Sequence, residues 1–563
     1  MAAWTAVLSR FGRAVAPSLA GGLLLAFSLP PWGWWPLAFL GAAVVYWRLR
    51  GLPWHLRLAA GWAAGLGCFV PGLWWAAAFN WYGAAVLMAV EALSMGLAAV
   101  VVPPARWRVP AFVGAFTLAE ALRISWPFGG LPLGGLFLGQ AGGPLLGAAR
   151  LGGPLLLTAL VWLGGAGLAE LARSASQAWR RGARGSPWVL DPRHRGGRRQ
   201  AGGATGSSQP VSASLGAVSA SLGAASVLLV AVVGAGAALA PRGGPDVGRL
   251  TVALVQGGGR RGVSQFEVPP RTVLAAQVAA SRWLASAPDP PALVVWPEDV
   301  VRVGRHLAGT SAAAYLSSLA HRLGSTVLAG VTETVSATSF RNEVVAWGPD
   351  GRIVGTYEKV HRVPFGEYVP DRGFFSHLAN LSAVPLDAIP GHGTGELTTR
   401  AGRLGLMVSF EVFFATRGRS ATRAGAQLLV VPTNTSSYST SQVPSLEVAA
   451  DRLQAVEEGR DLVQVAPAGY STVVAADGKV LARTPLGRRE VLRATVDLRA
   501  GRTLYERFGD LPILVLAGLC LVGGLLLAAS GSRGEGSRSQ RVAHAGRSWK
   551  GPGARASAMW RHS

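Results

Sequence analysis

The chain has 563 residues, of which half are hydrophobic and only 15% are charged, and it contains two cysteines. Soluble proteins carry about 25% charged residues, so this composition indicates a membrane protein and excludes a disordered chain or a disulfide-stabilised scaffold. The net charge is +24, but residues 245–509 hold 28 Lys and Arg against 23 Asp and Glu, so +19 of it accompanies the apolar segments and no nucleic-acid partner is expected.

Long apolar runs define the organisation of the chain, because a run of about 17–25 such residues predicts a transmembrane helix. Eight runs occur, near residues 14–30, 34–47, 58–78, 83–102, 109–126, 152–171, 222–241 and 509–530. We therefore predict a multi-pass helical membrane protein. It has about seven helices in residues 1–244, a hydrophilic domain at 245–508 and a last transmembrane helix at 509–530.

Arginine is concentrated in alternate loops between these runs. The loop at about 173–221 and the tail at 531–563 are especially rich in it, whereas the loops near 31–35 and 79–82 carry no charge. The positive-inside rule then predicts that both termini are cytoplasmic and that the hydrophilic domain lies outside. We expect segment 200–221 and the tail from residue 531 to be flexible cytoplasmic segments.

Two ionisable residues lie within the fifth apolar run. Glu120 and Arg123 are three residues apart, a spacing that allows an ion pair on one face of a helix. Ionisable side chains inside a span are costly and often functional. A purely structural pair at the outer end of the helix is the equal alternative.

The hydrophilic block alternates short apolar strands with helical stretches. The predicted helices cover 271–285, 309–322 and 446–459, and the predicted strands cover 250–256, 292–297, 326–332, 343–347, 403–410, 427–432, 462–466 and 472–475. This alternation over about 260 residues predicts one α/β domain that is large enough to form its own core.

Three motifs in this domain carry chemistry. Glu298 closes the apolar strand that ends in Trp-Pro-Glu, and the segment 357–370 places Lys359, His361 and Glu367 among aromatic residues and prolines. The third motif is Ser409-Phe410-Glu411, where a strand-to-helix turn would expose the serine. Acids at strand ends and a lysine in a partly apolar site are suited to proton transfer and to stabilising an oxyanion. A surface acid and a solvated loop are the alternative interpretations.

Taken together, the three motifs resemble the carbon–nitrogen hydrolase (nitrilase) superfamily, which takes Glu, Lys and Cys from these elements in this order. With seven spans before the domain and one after it, the resemblance narrows to the apolipoprotein N-acyltransferases. It implies an α-β-β-α sandwich outside a bacterial plasma membrane. It also implies acyl transfer from a membrane phospholipid to the α-amino group of the N-terminal S-diacylglyceryl cysteine of lipoproteins. We expect a monomer, and no cofactor is implied.

The same resemblance assigns roles to individual residues. Glu298 corresponds to the general base, Lys359 to the group that stabilises the oxyanion, and Ser409 to the nucleophile. Glu367 and Glu411 correspond to further acids that orient the site. His361 is expected to be structural rather than a base.

Ser409 departs from the family, whose nucleophile is cysteine. A hydroxyl is far less acidic than a thiol, so its proton has to be removed during attack, and both half-reactions should slow. Three interpretations remain open: a slower working nucleophile, a catalytically impaired paralogue that binds lipid or lipoprotein, and a sequencing error, since one base change converts a Cys codon to a Ser codon. Transfer of the acyl group to water is a further alternative.

Two other segments bear on substrate handling. Phe410 stands where the family usually has Tyr, and residues 435–438 (Thr-Ser-Ser-Tyr) replace a stretch that is usually acidic and contains Trp. Phe374 and Phe375 are expected either to dip into the outer leaflet or to join the core.

Overall fold

The structure is a computed structural model of the chain. It describes residues 2–104, 108–184, 209–259, 268–285, 289–304, 306–377, 380–436 and 441–545. The greater part of the predicted arginine-rich loop (185–208) and the end of the predicted tail (546–563) lie outside these residues.

Fifteen helices follow one another along the described residues, and eight of them occupy the eight predicted apolar runs. In chain order the helices are α1 (Ala2–Ser28), α2 (Pro36–Arg48), α3 (Trp54–Gly72), α4 (Trp81–Val101), α5 (Arg108–Arg123), α6 (Leu136–Gly139), α7 (Ala149–Arg184), α8 (Gln209–Leu239), α9 (Pro270–Ala285), α10 (Ser311–Leu323), α11 (Arg372–Phe375), α12 (Ala415–Arg423), α13 (Val443–Glu458), α14 (Leu504–Phe508) and α15 (Leu511–Ala545).

Length and composition support membrane crossing for four of these helical stretches. They are Trp81–Val101, Leu146–Arg180, Ala217–Leu239 and Leu511–Ser530, and the apolar part of α1, Val15–Ser28, is shorter. α2 and α5 have only 13 and 16 residues, and the first turn of α3 contains a histidine and an arginine. The prediction of helices at all eight positions is therefore confirmed, whereas four stretches rather than eight meet the criteria for a span.

Three helices also extend into the predicted cytoplasmic loop and tail. α7 continues to Arg184, α8 begins at Gln209, and α15 runs on to Ala545. The structure therefore describes residues 531–545 of the predicted tail as part of a helix. α7 itself is broken at Gly152 and Gly153, whose backbone is not helical.

Fourteen strands form two sheets between α8 and α14. They are β1 (Asp246–Gln256), β2 (Leu293–Val295), β3 (Val301–Val303), β4 (Thr326–Thr334), β5 (Ser339–Trp347), β6 (Ile353–Glu358), β7 (Asp387–Ala388), β8 (Glu396–Thr399), β9 (Gly402–Leu406), β10 (Leu428–Pro432), β11 (Leu462–Val465), β12 (Thr472–Val474), β13 (Val480–Arg483) and β14 (Glu490–Arg499). One sheet has the order β14-β1-β2-β4-β5-β6, with β3 on β4 and β7 on β5, and the other has the order β13-β12-β11-β10-β9-β8.

The two sheets pack face to face with helices outside them. Apolar side chains of both sheets, including Leu254, Val295, Leu406 and Val430, form the core between them. α9 and α10 cover the outer face of the first sheet, and α12 and α13 contact the second. This arrangement is the expected α-β-β-α sandwich.

All eight predicted strands are present, but their bounds differ and six strands were missed. The predicted strand at 403–410 ends at Leu406, because a 3₁₀ turn begins at Ser409. The missed strands are β3, β6, β7, β8, β13 and β14. Strands such as β6 and β14 carry mostly half-exposed or exposed residues, so they lack the apolar run on which the prediction relied.

The sandwich is joined closely to the helical region. Its first strand β1 pairs antiparallel with its last strand β14 over nearly their whole length. α13 packs on α7, and Leu446 and Leu453 of α13 share one apolar core with helices of the N-terminal region. The side chain of Gln442 donates a hydrogen bond of 2.9 Å to the carbonyl oxygen of Pro71 near the end of α3.

Candidate active site

Glu298 lies at the carboxyl end of β2, where the backbone is fixed by its neighbour β4. The N–H of Trp296 donates to Leu328, and the N–H of Gly330 donates to the carbonyl of Pro297 at 3.1 Å. β4 comes so near at this point that a Cβ on Gly330 would lie 2.5 Å from the Cα of Glu298. The close approach of the two backbones therefore fixes the position of the Glu298 Cα, from which the carboxylate side chain extends.

Lys359 follows directly on β6 and is only 1% exposed. Its Nζ lies 2.9 Å from Glu298 Oε1 and 2.6 Å from Glu367 Oε1. The amide nitrogen of Asn342 on β5 donates to the same Glu298 oxygen at 2.8 Å and lies 3.4 Å from Glu367 Oε1. One cation and one amide thus hold two carboxylates together, so the structure brings Glu298, Lys359 and Glu367 into one cluster.

This cluster contains two carboxylates and one amino group, and their interactions set the protonation states of Lys359 and Glu298. Burial would lower the pKa of Lys359, but Glu298 and Glu367 outweigh it and hold that pKa above its ordinary value. Burial, together with the neighbouring Glu367 carboxylate, raises the pKa of Glu298, against the attraction of Lys359. The lysine therefore stays an ammonium, and Glu298 is a stronger base than a free glutamate.

Ser409 is the first residue of a 3₁₀ turn, Ser409–Phe413, that follows β9. Its φ of 51° lies in the left-handed region, which is unusual for a residue with a side chain. The side chain is half-buried, whereas Val408 and Phe410 on either side are buried. A strained residue on a sharp turn after a strand is a typical way to present a nucleophile.

Glu411 connects this turn to the lysine loop. Its buried carboxylate accepts hydrogen bonds from the backbone N–H of Val408 at 2.8 Å and of Val360 at 2.8 Å. The N–H of His361 donates to it at 3.0 Å. Because Val408 precedes Ser409 and Val360 follows Lys359, this one carboxylate links the backbone beside Ser409 to the backbone beside Lys359.

Sequence reasoning did not single out three residues of the site. Asn342 bridges the two acids of the cluster. The Tyr357 hydroxyl donates to Glu411 at 2.8 Å, and Arg417 Nη2 donates to the Tyr357 oxygen at 2.8 Å. Tyr357 lies within the motif at 357–370, so its neighbours were a signal. Asn342 and Arg417 come from segments with no such pattern.

His361 packs against Phe414, the residue that follows the 3₁₀ turn Ser409–Phe413. Its ring stacks on that of Phe414, with centroids 4.3 Å apart. Burial and the Arg417 guanidinium lower the pKa of His361 to about 4. The imidazole is therefore neutral near pH 7 and packs as a flat aromatic ring.

The described residues contain no group of three or more His, Cys, Asp or Glu side chains that is suited to hold a metal ion. Both cysteines lie in apolar helices, Cys68 in α3 and Cys520 in α15, away from the turn at Ser409. In the stretch at 435–438, the side chains of Thr435 and Ser436 are buried. Ser437 and Tyr438 lie outside the described residues.

Family models match two parts of the chain. A model of the apolipoprotein N-acyltransferase N-terminal domain matches residues 21–167, and a carbon-nitrogen hydrolase model matches residues 251–505. The resemblance inferred from the three motifs is thereby confirmed.

Curated relatives cover nearly the whole chain. The apolipoprotein N-acyltransferase of Mycolicibacterium smegmatis is 30% identical over 548 residues, which span 91% of this chain and 86% of that protein. The apolipoprotein N-acyltransferase of Pseudomonas aeruginosa strain LESB58 is 27% identical over 540 residues, which span 90% of this chain and 95% of that protein.

Solved structures match slightly less than half of this chain. A carbon-nitrogen hydrolase from Helicobacter pylori G27 is 18% identical, with a TM-score of 0.36, and the match covers 47% of this chain and 95% of that chain. Nit3 from Saccharomyces cerevisiae, a member of the nitrilase superfamily, is 22% identical, with a TM-score of 0.34, and covers 44% of this chain and 90% of that chain.

Proposed function

Because the chain belongs to the apolipoprotein N-acyltransferase family, whose activity is lipoprotein N-acylation, we propose that it catalyses this transfer with Ser409 as its nucleophile. Glu298 acts as the general base, and Lys359 stabilises the oxyanion. Glu367 and Glu411 orient these groups. The acyl donor is a membrane phospholipid, and the acceptor is the α-amino group of a diacylglyceryl-modified N-terminal cysteine.

The first half-reaction forms an ester on the serine. Ser409 Oγ attacks the carbonyl carbon of a phospholipid acyl ester while its proton passes to Glu298, and Lys359 Nζ faces the oxyanion that develops. The tetrahedral intermediate collapses as the glycerol oxygen leaves. This oxygen takes the proton from Glu298, so that a lysophospholipid departs and the acyl chain remains on Ser409.

The second half-reaction passes the chain to the amine. The neutral α-amino nitrogen attacks the ester carbonyl and gives a proton to Glu298, and Lys359 again faces the oxyanion. Collapse breaks the bond to Ser409 Oγ, which takes back the proton. Burial raises the pKa of Glu298, which suits a residue that has to accept and return a proton in each step.

One observation carries the assignment of Ser409. The Glu411 carboxylate binds the backbone on the N-terminal side of Ser409 and the backbone that follows Lys359. This shared carboxylate supports a site in which position 409 acts together with Lys359, which itself contacts Glu298. The left-handed backbone of Ser409 supports the same role, since such a conformation costs about 1–3 kcal/mol for a residue with a side chain.

The membrane arrangement is part of the same proposal. All eight apolar helices cross the membrane, both termini are cytoplasmic and the sandwich lies outside, where the lipid donor reaches the site laterally. Arginine-rich ends on alternate sides of the helices support this orientation. The protein acts as a monomer, since one chain supplies base, cation and nucleophile.

A complementation experiment tests the role of Ser409. The chain, Ser409→Ala and Ser409→Cys are expressed in cells depleted of their own N-acyltransferase, and the mass of the N-terminal peptide of a reporter lipoprotein is measured. Ser376→Ala, which alters an exposed serine outside the site, is the matched control. We expect a mass gain of one acyl chain with the unaltered chain and with Ser376→Ala, and its loss with Ser409→Ala.

Three outcomes would overturn the proposed serine-based transfer. A mass gain with Ser409→Cys only would show an intact scaffold that is silent at its nucleophile, which is the interpretation as a binding protein. Release of free fatty acid from phospholipid without any gain on the reporter would show transfer to water. If the reporter peptide is acylated to the same extent with Ser409→Ala as with the unaltered chain, the nucleophile is a different residue.

A further inference from the structure

Arg123 is the last residue of α5, and it is only 4% exposed. Its Nε and Nη2 bind the two oxygens of Glu120 at 2.9 and 2.8 Å, so the predicted ion pair is present. Its Nη1 lies 3.2 Å from Glu91 Oε2 on α4. The guanidinium carbon lies 5.0 Å from the centre of the Phe69 ring on α3. One arginine therefore joins three helices.

The same guanidinium also binds the loop that follows it. This loop, residues 124–135, connects α5 to α6, and we call it the outer loop. Nη1 of Arg123 donates to the carbonyls of Leu131 and Leu133, the latter at 3.1 Å, and the N–H of Leu131 donates to the Arg123 carbonyl at 3.1 Å. Because Arg123 holds both arms of the turn that follows, the position of the loop tip depends on this side chain.

The tip of the outer loop contacts the sandwich. Phe128, at a left-handed φ of 54°, lies edge-on to Phe365 and Phe375, with ring centroids 6.0 and 6.3 Å apart. Phe365 and Phe375 also contact each other at 4.9 Å. The Tyr368 hydroxyl donates to the Phe128 carbonyl at 3.4 Å. These contacts join the outer loop to the segment that follows Lys359.

Phe365 and Tyr368 belong to the tight turn that carries Glu367. The N–H of Phe365 donates to the Tyr368 carbonyl at 2.7 Å. Inside the turn, Glu367 Oε2 accepts the N–H of Val363 at 2.9 Å, and its other oxygen contacts Lys359 Nζ at 2.6 Å. The turn thus presents Phe365 and Tyr368 to the outer loop and Glu367 to the lysine.

We propose that Arg123 is a positioning residue for the reaction, because it fixes the outer loop, whose Phe128 sets the turn that holds Glu367 against Lys359. The inference rests on the proposed roles of Glu367 and Lys359. It gives the buried Arg123–Glu120–Glu91 cluster a function beyond holding helices together. A shift of the turn by about 1 Å is enough to lower a rate up to a hundredfold when it moves a catalytic group.

The test combines two pairs of substitutions in the full-length protein in detergent–phospholipid micelles. Phe128→Ala and Phe365→Ala are made singly and together, as are Arg123→Lys and Phe128→Ala. Phe508→Ala is the matched control, because this α14 ring is 60% exposed, compared with 46% for Phe128, and lies outside the cluster. Arg123→Lys keeps the charge but loses the forked geometry that binds two carboxylates and two carbonyls. We expect each single change to lower kcat about tenfold with KM unchanged, each double change to do no more, and Phe508→Ala to have no effect.

A second measurement does not depend on acyl transfer. In the Ser409→Cys variant, the rate at which the introduced thiol is alkylated is read from the mass of its peptide, with and without Phe128→Ala. We expect Phe128→Ala to change this rate severalfold and Phe508→Ala to leave it unaltered. If transfer fails with serine while this change is seen, the positioning role stands and the serine nucleophile falls.

Three results would overturn the positioning role. Losses that multiply in the double variants would mean that the residues act independently. A rise in KM at constant kcat would make Phe128 a contact for lipid. If Phe128→Ala changes neither the transfer kinetics nor the alkylation rate, the outer loop does not position the site. This conclusion would hold even if Arg123→Lys fails to fold.

Discussion

Tyr357 donates its hydroxyl hydrogen to Glu411 at 2.8 Å, and this bond joins the two sheets of the sandwich at the site. Tyr357 belongs to β6 in the first sheet, and Glu411 lies in the turn after β9 in the second. The relative position of Lys359 and Ser409 thus depends on side chains between the sheets. In the proposed mechanism, residues that do not touch the substrate therefore control the geometry of the reaction.

Replacing Glu411 by Gln should lower kcat strongly. The amide keeps the size of the side chain, but one of its two acceptors becomes a donor that faces backbone N–H groups of Val408, Val360 or His361. A buried donor left without an acceptor costs about 1–3 kcal/mol. We expect Tyr357→Phe, which removes only one donor, to have a smaller effect. Steady-state transfer rates and melting temperatures of both variants provide the comparison, and a milder effect in Glu411→Gln would contradict it.

Gly330→Ala should disturb the base without unfolding the domain. The added methyl would lie 2.4 Å from the carbonyl oxygen of Pro297 and 2.5 Å from the Cα of Glu298, so the strand end has to move. We expect kcat to fall about tenfold or more, with a modest loss of melting temperature. Gly304→Ala is the control, since among the described residues no heavy atom beyond its chain neighbours lies within 4 Å of the methyl that it would gain. Equal activity in the two variants would argue against a tightly placed Glu298.

Asn342→Asp should move the pH dependence of the reaction. The new carboxylate would stand beside Glu298 and Glu367 and would raise the pKa of Glu298 further, because like charges disfavour ionisation. Glu298 accepts a proton only when it is ionised, so the acid limb of the kcat profile should shift to higher pH. Asn342→Ala should lower kcat and leave the limb nearer its original position. A downward shift in Asn342→Asp would refute the assignment of the base.

Stability should fall as the pH rises, because of a buried acid on α13. Burial raises the pKa of Glu458 to about 8, and its Oε2 accepts a hydrogen bond from the Thr422 hydroxyl at 2.6 Å. Between about pH 4.5 and 8 the folded protein keeps a proton that the unfolded chain releases, so the free energy of unfolding decreases across this window. Glu458→Gln should flatten the decline in melting temperature across the same window. Asp477→Asn, at an exposed carboxyl, should leave the slope unchanged.

The resemblance to the carbon–nitrogen hydrolases selected Glu298, Lys359 and Glu367 as candidate site residues, and the structure brings these three side chains together. The strand pattern could not have placed them side by side, because β6, which leads to Lys359, was missed. Asn342 could not be selected, because its role depends on the pairing of β5 with β6, which brings it opposite the lysine loop. Length and composition by themselves support a span for four of the eight predicted helices. Short helices such as α2 take their burial from neighbours rather than from their own length.

The pairing of β1 with β14 also bears on how the chain is assembled from its parts. Because the first and last strands of the sandwich lie side by side from Asp246 to Arg499, its two ends meet at one edge. A unit with adjacent ends can be inserted into a loop of another protein without forcing the flanking segments apart. The sandwich is therefore a cassette carried between α8 and α15. Insertion at a single point in the chain is therefore enough to add the sandwich to the helical region.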